Sequence, residues 1–168
     1  PQHRFTAKLK MPPRVQIRHL PIPFGCEDLF PRLVKHQVRF LVIGGLAMHH
    51  HFPARAPKDL DILLSPAGGN IQRLQSALRD MSLQIRDDQM IPLLNIGRRS
   101  QQIRFLDDRL DVVTVSDEMD FEFEWAVAED ASIAGMPAKI GSLLLLIHLK
   151  KESSRQVDIA DMKLLRSA

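Results

Sequence analysis

The chain has 168 residues, 45% of them hydrophobic and 26% charged, with a formal net charge of +3. That length suits one domain with a real core, and the longest apolar run, Leu143 to Ile147, is far too short to span a bilayer. The single cysteine, Cys26, excludes an internal disulfide and fits a reducing cytoplasm, and the basic N-terminus lacks the apolar stretch of a secretory signal.

The charge is unevenly placed. Residues 1 to 24 contain Arg4, Lys8, Lys10, Arg14 and Arg18 and no acidic residue. That leaves 18 of the 23 basic residues against all 20 acidic ones, a net of −2 for the remainder. The division expected is a basic, Pro-rich arm over residues 1–24 and a single domain over 25–168. Such an arm suits contact with RNA or another polyanion, or serves solubility alone.

After the arm, Glu27 to Gln37 reads as a short helix in which Pro31 marks a start or a kink. The run Arg39 to Ile43 is densely apolar and is bounded by Gly44-Gly45, as suits a buried strand. A helix over Leu46 to Phe52 begins at those glycines, and a loop with Pro53, Arg55, Pro57 and Lys58 follows. Asp59 to Leu64 is again strand-like, and Ser65-Pro66 reads as an N-cap with a first-turn proline. Ile71, Leu74, Leu78 and Met81 recur at helical spacing.

From Ser82 to Arg99 the pattern suits a strand, a turn and a second short strand. Gln102 to Leu106 and Leu110 to Val115 form the two arms of a hairpin around Asp107-Asp108-Arg109. Phe121 to Ala128 reads as a helix and Ala131 to Ile140, with Gly135 in its middle, as a small hairpin or an extended segment. Two helices close the chain, Ser142 to Lys150 and Gln156 to Arg166. The class is α+β, a mixed sheet with flanking helices.

The acidic residues within this pattern carry the chemistry. On a strand, alternate side chains share a face, so Asp59 and Asp61 project together with α-carbons roughly 6.5 Å apart. Two ionised carboxylates that close repel one another unless a cation sits between them. Their apolar neighbours Ile62, Leu63 and Leu64 make the strand a core strand, where an unpaired charge is costly. Asp111 opens a second apolar run, Val112 to Val115, and brings a third carboxylate from a strand that can lie beside the first. An all-oxygen set favours Mg²⁺ or Mn²⁺ over Zn²⁺, and three carboxylates on two strands match a two-metal phosphoryl-transfer site. Gly44-Gly45, between a strand and a helix, lets an anion such as phosphate approach backbone N–H groups closely.

Phe40-Leu-Val-Ile-Gly-Gly-Leu-Ala-Met48 followed by Arg55-Ala-Pro-Lys-Asp-Leu-Asp-Ile-Leu63 resembles the DNA polymerase β-like nucleotidyltransferase superfamily. Among its members the likeness is to the minimal nucleotidyltransferases of the abortive-infection and toxin–antitoxin types. It continues through Arg109 to Val115, Phe121 to Ala126 and the tail from Leu149 to Asp161. The resemblance implies a polymerase β palm-like nucleotidyltransferase fold. It also implies transfer of NMP from an NTP, ATP among the candidates, to a hydroxyl acceptor with release of pyrophosphate. Asp59, Asp61 and Asp111 are then the catalytic metal ligands, Gly44 and Gly45 hold the triphosphate, and Arg55 and Lys58 lie where cations neutralise phosphate charge. Asp111 also takes the acceptor's proton. The acceptor is a tRNA end, a partner protein's side chain or a small molecule, and oligomeric state is left open. Two departures stand out: Gly45 where many relatives have Ser, and Pro57 where many have Thr. The alternative is a catalytically weak nucleotide- or partner-binding regulatory module of a toxin–antitoxin-like pair.

Remaining features have two readings each. In relatives the tail approaches the active site, which would bring Asp158 and Lys150 there; otherwise Asp158 and Asp161 pair on the surface with Arg155 or Lys163. His49-His50-His51 cannot all converge on one ion from consecutive helical positions, so one imidazole facing the active cleft is expected rather than a chelate. Arg98-Arg99 face an acceptor or water. Trp125 is expected to pack in the core with its N–H satisfied locally.

Overall fold

The computed structural model describes residues 17–53, 57–151, 162, 163 and 165–167. Strand β1 (Arg18–Leu20) comes from the basic leader and is followed by helix α1 (Leu29–Lys35), which carries Pro31 in its first turn. Strand β2 (Phe40–Ile43) is buried at every position, and helix α2 (Gly44–His51) starts directly on the glycines. Strand β3 (Leu60–Leu64) and helix α3 (Asn70–Arg79) follow. Next come helix α4 (Asp87–Leu94) and the hairpin of β4 (Gln102–Phe105) and β5 (Leu110–Val113). Helix α5 (Phe121–Val127), the hairpin β6 (Glu129–Ile133) and β7 (Met136–Ile140), and helix α6 (Leu143–Lys151) complete the described fold. Of the second closing helix expected from sequence, Met162, Lys163, Leu165 and Arg166 are helical, and the rest lies outside the described residues.

The strands form one mixed seven-stranded sheet in the order β1-β6-β7-β2-β3-β5-β4. Its centre is apolar by composition: Leu41, Val42, Leu60, Ile62, Leu63, Leu110 and Val112 are fully buried. Each such side chain contributes about 1.5–3 kcal/mol by leaving water. β3 lies antiparallel to β2 and parallel to β5, so it is hydrogen-bonded on both sides. β1 adds parallel to β6 and makes one edge of the sheet.

Three local readings of the sequence are corrected. Residues 82–99 hold helix α4 rather than two strands. The Gln89 side-chain oxygen accepts from the Arg86 N–H at 3.1 Å, Asp87 and Asp88 occupy the first turn, and the Gln89 amide donates to the Arg104 carbonyl at 2.9 Å. Pro92 sits inside that helix and disguised it. Ser65 is not a helix cap, because α3 begins only at Asn70, with Gly69 in a left-handed conformation before it (φ 80°). Ser65 is instead fully buried, its hydroxyl accepting from the Ala67 N–H at 3.3 Å. Asp59 lies just ahead of β3, exposed and outside the ladder that begins at Leu60.

Candidate active site

Strand register builds the site. In the parallel ladder Asp61 stands directly opposite Asp111, and in the antiparallel ladder it stands opposite Ile43, the last residue of β2. Side chains at one register position of neighbouring strands share a face, so both carboxyls emerge on the same side of the sheet. The chain leaving Ile43 turns at Gly44, whose φ is +61°. A Cβ there would lie 1.9 Å from Asp61 Oδ2, so position 44 accepts only glycine, for backbone conformation and for space. The next residue, Gly45, donates its backbone N–H to Asp61 Oδ2 at 3.3 Å. The glycine turn therefore seats the carboxylate.

Asp111 is buried, at 7% exposure, and is held from the edge strand. The Gln102 side-chain amide donates to Asp111 Oδ2, and Arg104 Nε lies 3.6 Å from Oδ1. These partners follow from the β4–β5 register, which sets Arg104 opposite Asp111. Asp111 Oδ1 nonetheless has no hydrogen-bond partner although it is buried. A buried acceptor left unsatisfied costs about 1–3 kcal/mol, and it marks where a cationic ligand is wanted.

Electrostatics point the same way. Burial first, and then the charge of Asp111, push the Asp61 carboxyl up from 3.8 to about 6, against the Gly45 hydrogen bond; nearby Asp59 adds to the rise. Burial also raises Asp111, opposed by the Gln102 hydrogen bond and the Arg104 charge. Two inward carboxyls that resist ionisation in the bare chain are what a divalent cation would relieve. The residues present thus fit Mg²⁺ or Mn²⁺.

The structure brings Gly44, Gly45, Asp61 and Asp111 together. Asp59 is exposed and is close enough for its charge to act on both buried carboxyls. Lys58 is exposed beside it, Lys150 lies in the last turn of α6, and Arg55 and Asp158 are outside the described residues. Arg98 and Arg99 are exposed. Gln102 and Arg104 were not singled out from sequence. The signal was there: both sit at alternate positions of a hairpin strand whose partner carries Asp111, and pairing the hairpin residue by residue finds them. Trp125 packs against the core while staying half-buried, and the Arg39 guanidinium lies 4.5 Å from its ring centroid.

The sequence matches no family model and no curated protein. Among solved structures, the chain resembles that of ANT(2")-Ia in complex with adenylyl-2"-tobramycin, with a TM-score of 0.53 at 15% identity. The match covers 83% of this chain and 84% of that one. At this identity the likeness establishes architecture alone: the chain shares the fold of that structure. Among the described residues, no helix is long and apolar enough to cross a membrane.

Proposed function

We propose that this chain is a divalent-metal-dependent nucleotidyltransferase that moves NMP from an NTP to a hydroxyl acceptor and releases pyrophosphate. The observation that carries the reading is the Asp61–Asp111 pair. The two carboxyls lie side by side on paired strands, one seated by the Gly44 turn and the other with a buried oxygen that accepts no hydrogen bond. Asp59, Asp61 and Asp111 would hold Mg²⁺ or Mn²⁺. When bound, the metal would neutralise triphosphate charge and stabilise the attacking and leaving oxygens.

The chain's own residues then have defined tasks. The Gly44-Gly45 turn leaves room for phosphate beside the backbone, and Lys58 would add positive charge near it. The acceptor oxygen bonds to the α-phosphorus as the bond from that phosphorus to the bridging oxygen breaks, and pyrophosphate departs. The proton lost by the acceptor would pass to Asp111, the carboxylate that lies beside Asp61 on the neighbouring strand. Gln102 and Arg104 keep that carboxylate aimed.

A small-molecule hydroxyl is the acceptor class we favour, because the fold neighbour was solved with an adenylyl group joined to tobramycin and is matched over most of its length. RNA and partner-protein acceptors, the latter fitting a toxin–antitoxin or abortive-infection setting in the cytoplasm, are the competing classes. The test incubates purified protein with each α-labelled NTP, Mg²⁺, and separately aminoglycosides, tRNA and cell extract. Label should move to one acceptor class with wild type and fail to move with Asp61→Asn or Asp111→Asn. Absence of transfer with every NTP and acceptor, alongside retained nucleotide binding, would favour the regulatory module.

A further inference from the structure

Three consecutive histidines end helix α2, at the opposite end from the Gly44 turn. Two of them meet a carboxylate from a distant part of the chain. His50 Nε2 lies 2.9 Å from Glu129 Oε2, and His51 Nδ1 lies 3.7 Å from Glu129 Oε1. The His50 and His51 rings stand edge to face, 5.0 Å between centroids. One ligand-type atom from each of the three side chains lies within 4.8 Å of the other two. Consecutive helical residues do diverge, and His49 has no place in this group. At the last turn of α2, however, the first residue of β6 supplies a carboxylate that both neighbouring imidazoles reach.

The proton positions make the cluster more than a contact. His51 Nε2 is 3.1 Å from the Gly141 carbonyl oxygen, which can only accept, so Nε2 carries the proton. In a neutral ring Nδ1 is then a lone pair, and it faces a carboxylate oxygen. Two acceptors face each other across 3.7 Å with nothing positive between them. A ring N–H given to a backbone carbonyl, with the other nitrogen left bare, is the usual setting of a metal-bound histidine. Tetrahedral bonds of about 2.0–2.1 Å separate ligand atoms by about 3.3 Å, and the observed 2.9 and 3.7 Å straddle that value. His50 is 4% exposed, so this ring has little room to turn away; the ion would replace the proton that its Nε2 shares with Glu129, and the ring would then carry its proton on Nδ1. The Glu129 side chain is 56% exposed, which leaves an open side for entry and for a water as fourth ligand.

We propose that His50, His51 and Glu129 form a zinc-class metal site, separate from the Asp61–Asp111 pair. Two imidazoles and one carboxylate suit Zn²⁺ and disfavour Mg²⁺, which takes oxygen ligands. The ion ties the C-terminal end of α2 to β6, and so to the sheet half that carries β1. The Arg18 guanidinium, bonded to the His50 carbonyl, moderates the affinity through its like charge.

The experiment uses tag-free chain stripped with chelator and titrated with Zn²⁺, and with Co²⁺ as a visible reporter of tetrahedral coordination. With excess Mg²⁺ present throughout to fill the Asp61–Asp111 site, wild type should bind one equivalent of Zn²⁺, give intense tetrahedral Co²⁺ bands, and melt at a higher temperature with Zn²⁺. Glu129→Gln, at an exposed position that folding tolerates, should weaken binding more than the about 10–100-fold expected on loss of an outer partner. Asp61→Asn/Asp111→Asn should bind as wild type does. No stoichiometric zinc binding, equal binding by Glu129→Gln, or loss of binding only in the Asp61/Asp111 variant would each overturn the proposal.

Discussion

Asp61 is constrained from three directions, by the Gly44 turn, by the ladder on both sides of β3 and by the charge of Asp111. In the metal-free chain its carboxyl is pushed up to about 6, so between pH 4 and 6 the folded state binds more protons than the unfolded one. Stability from the protonated carboxyl is therefore full below the unfolded value and is lost as the pH rises through 6. A displacement of this size is worth on the order of 3 kcal/mol. Asp61→Asn removes the charge and keeps the shape, so in chelator it should be more stable than wild type by about 1–3 kcal/mol at pH 7.5. Urea denaturation across pH should show that gap closing below pH 4. A variant less stable than wild type at pH 7.5 would mean that the ionised carboxylate is not strained. Much at this scale was legible in the sequence, because acids flanked by Ile62-Leu63-Leu64 and by Val112-Val113 cannot be ordinary surface residues. Asp59 was the exception: alternation alone extended the strand one residue too far, and the ladder begins only at Leu60.

At the scale of elements, a buried amide joins α3 to the strand that feeds the site. Asn70, fully buried, accepts from the Arg39 N–H at 2.8 Å and donates to the Arg39 and Ser65 carbonyls at 2.8 and 2.9 Å. Arg39 continues the link outward, pairing through its guanidinium with Glu122 of α5. Asn70→Ala leaves the Arg39 N–H and the Ser65 carbonyl without these partners, while the Arg39 carbonyl keeps the Ser65 N–H at 3.0 Å, and should cost about 2–4 kcal/mol. Urea unfolding is expected to show a lower midpoint with unchanged slope; a loss under about 0.5 kcal/mol, within the range of ordinary surface substitutions, would mean that water replaces the amide freely. None of this was visible in the sequence, where nothing marks Asn70 as a buried residue. Helix α4 was hidden for a related reason. Its N-cap residue is Arg86, whose side chain cannot accept from the first turn, and Pro92 interrupts the pattern that would reveal it. By contrast β2, β3, α3, α5 and both hairpins followed from apolar periodicity and from turn residues such as Gly135, which takes φ 80°.

Across the whole molecule, the sheet order decides what meets what. β3 and β5 are separated in sequence by two helices and a strand, yet are neighbours in space, which sets Asp61 beside Asp111. The same order brings Glu129, 79 residues from His50, to the end of α2. The first pairing could be anticipated because both strands carried an acid where apolar residues were expected. The second could not, since an exposed glutamate at a strand start has no signature until its partner is placed. On the proposed function, Asp61 and Asp111 together hold the cation that a nucleotide requires. The most direct test is Mn²⁺ binding monitored by electron paramagnetic resonance, with and without a non-hydrolysable NTP analogue, in wild type and in Asp61→Asn/Asp111→Asn. Wild type should bind Mn²⁺, more tightly with nucleotide present, and the double variant should lose that binding; equal Mn²⁺ binding by both proteins would contradict the assignment.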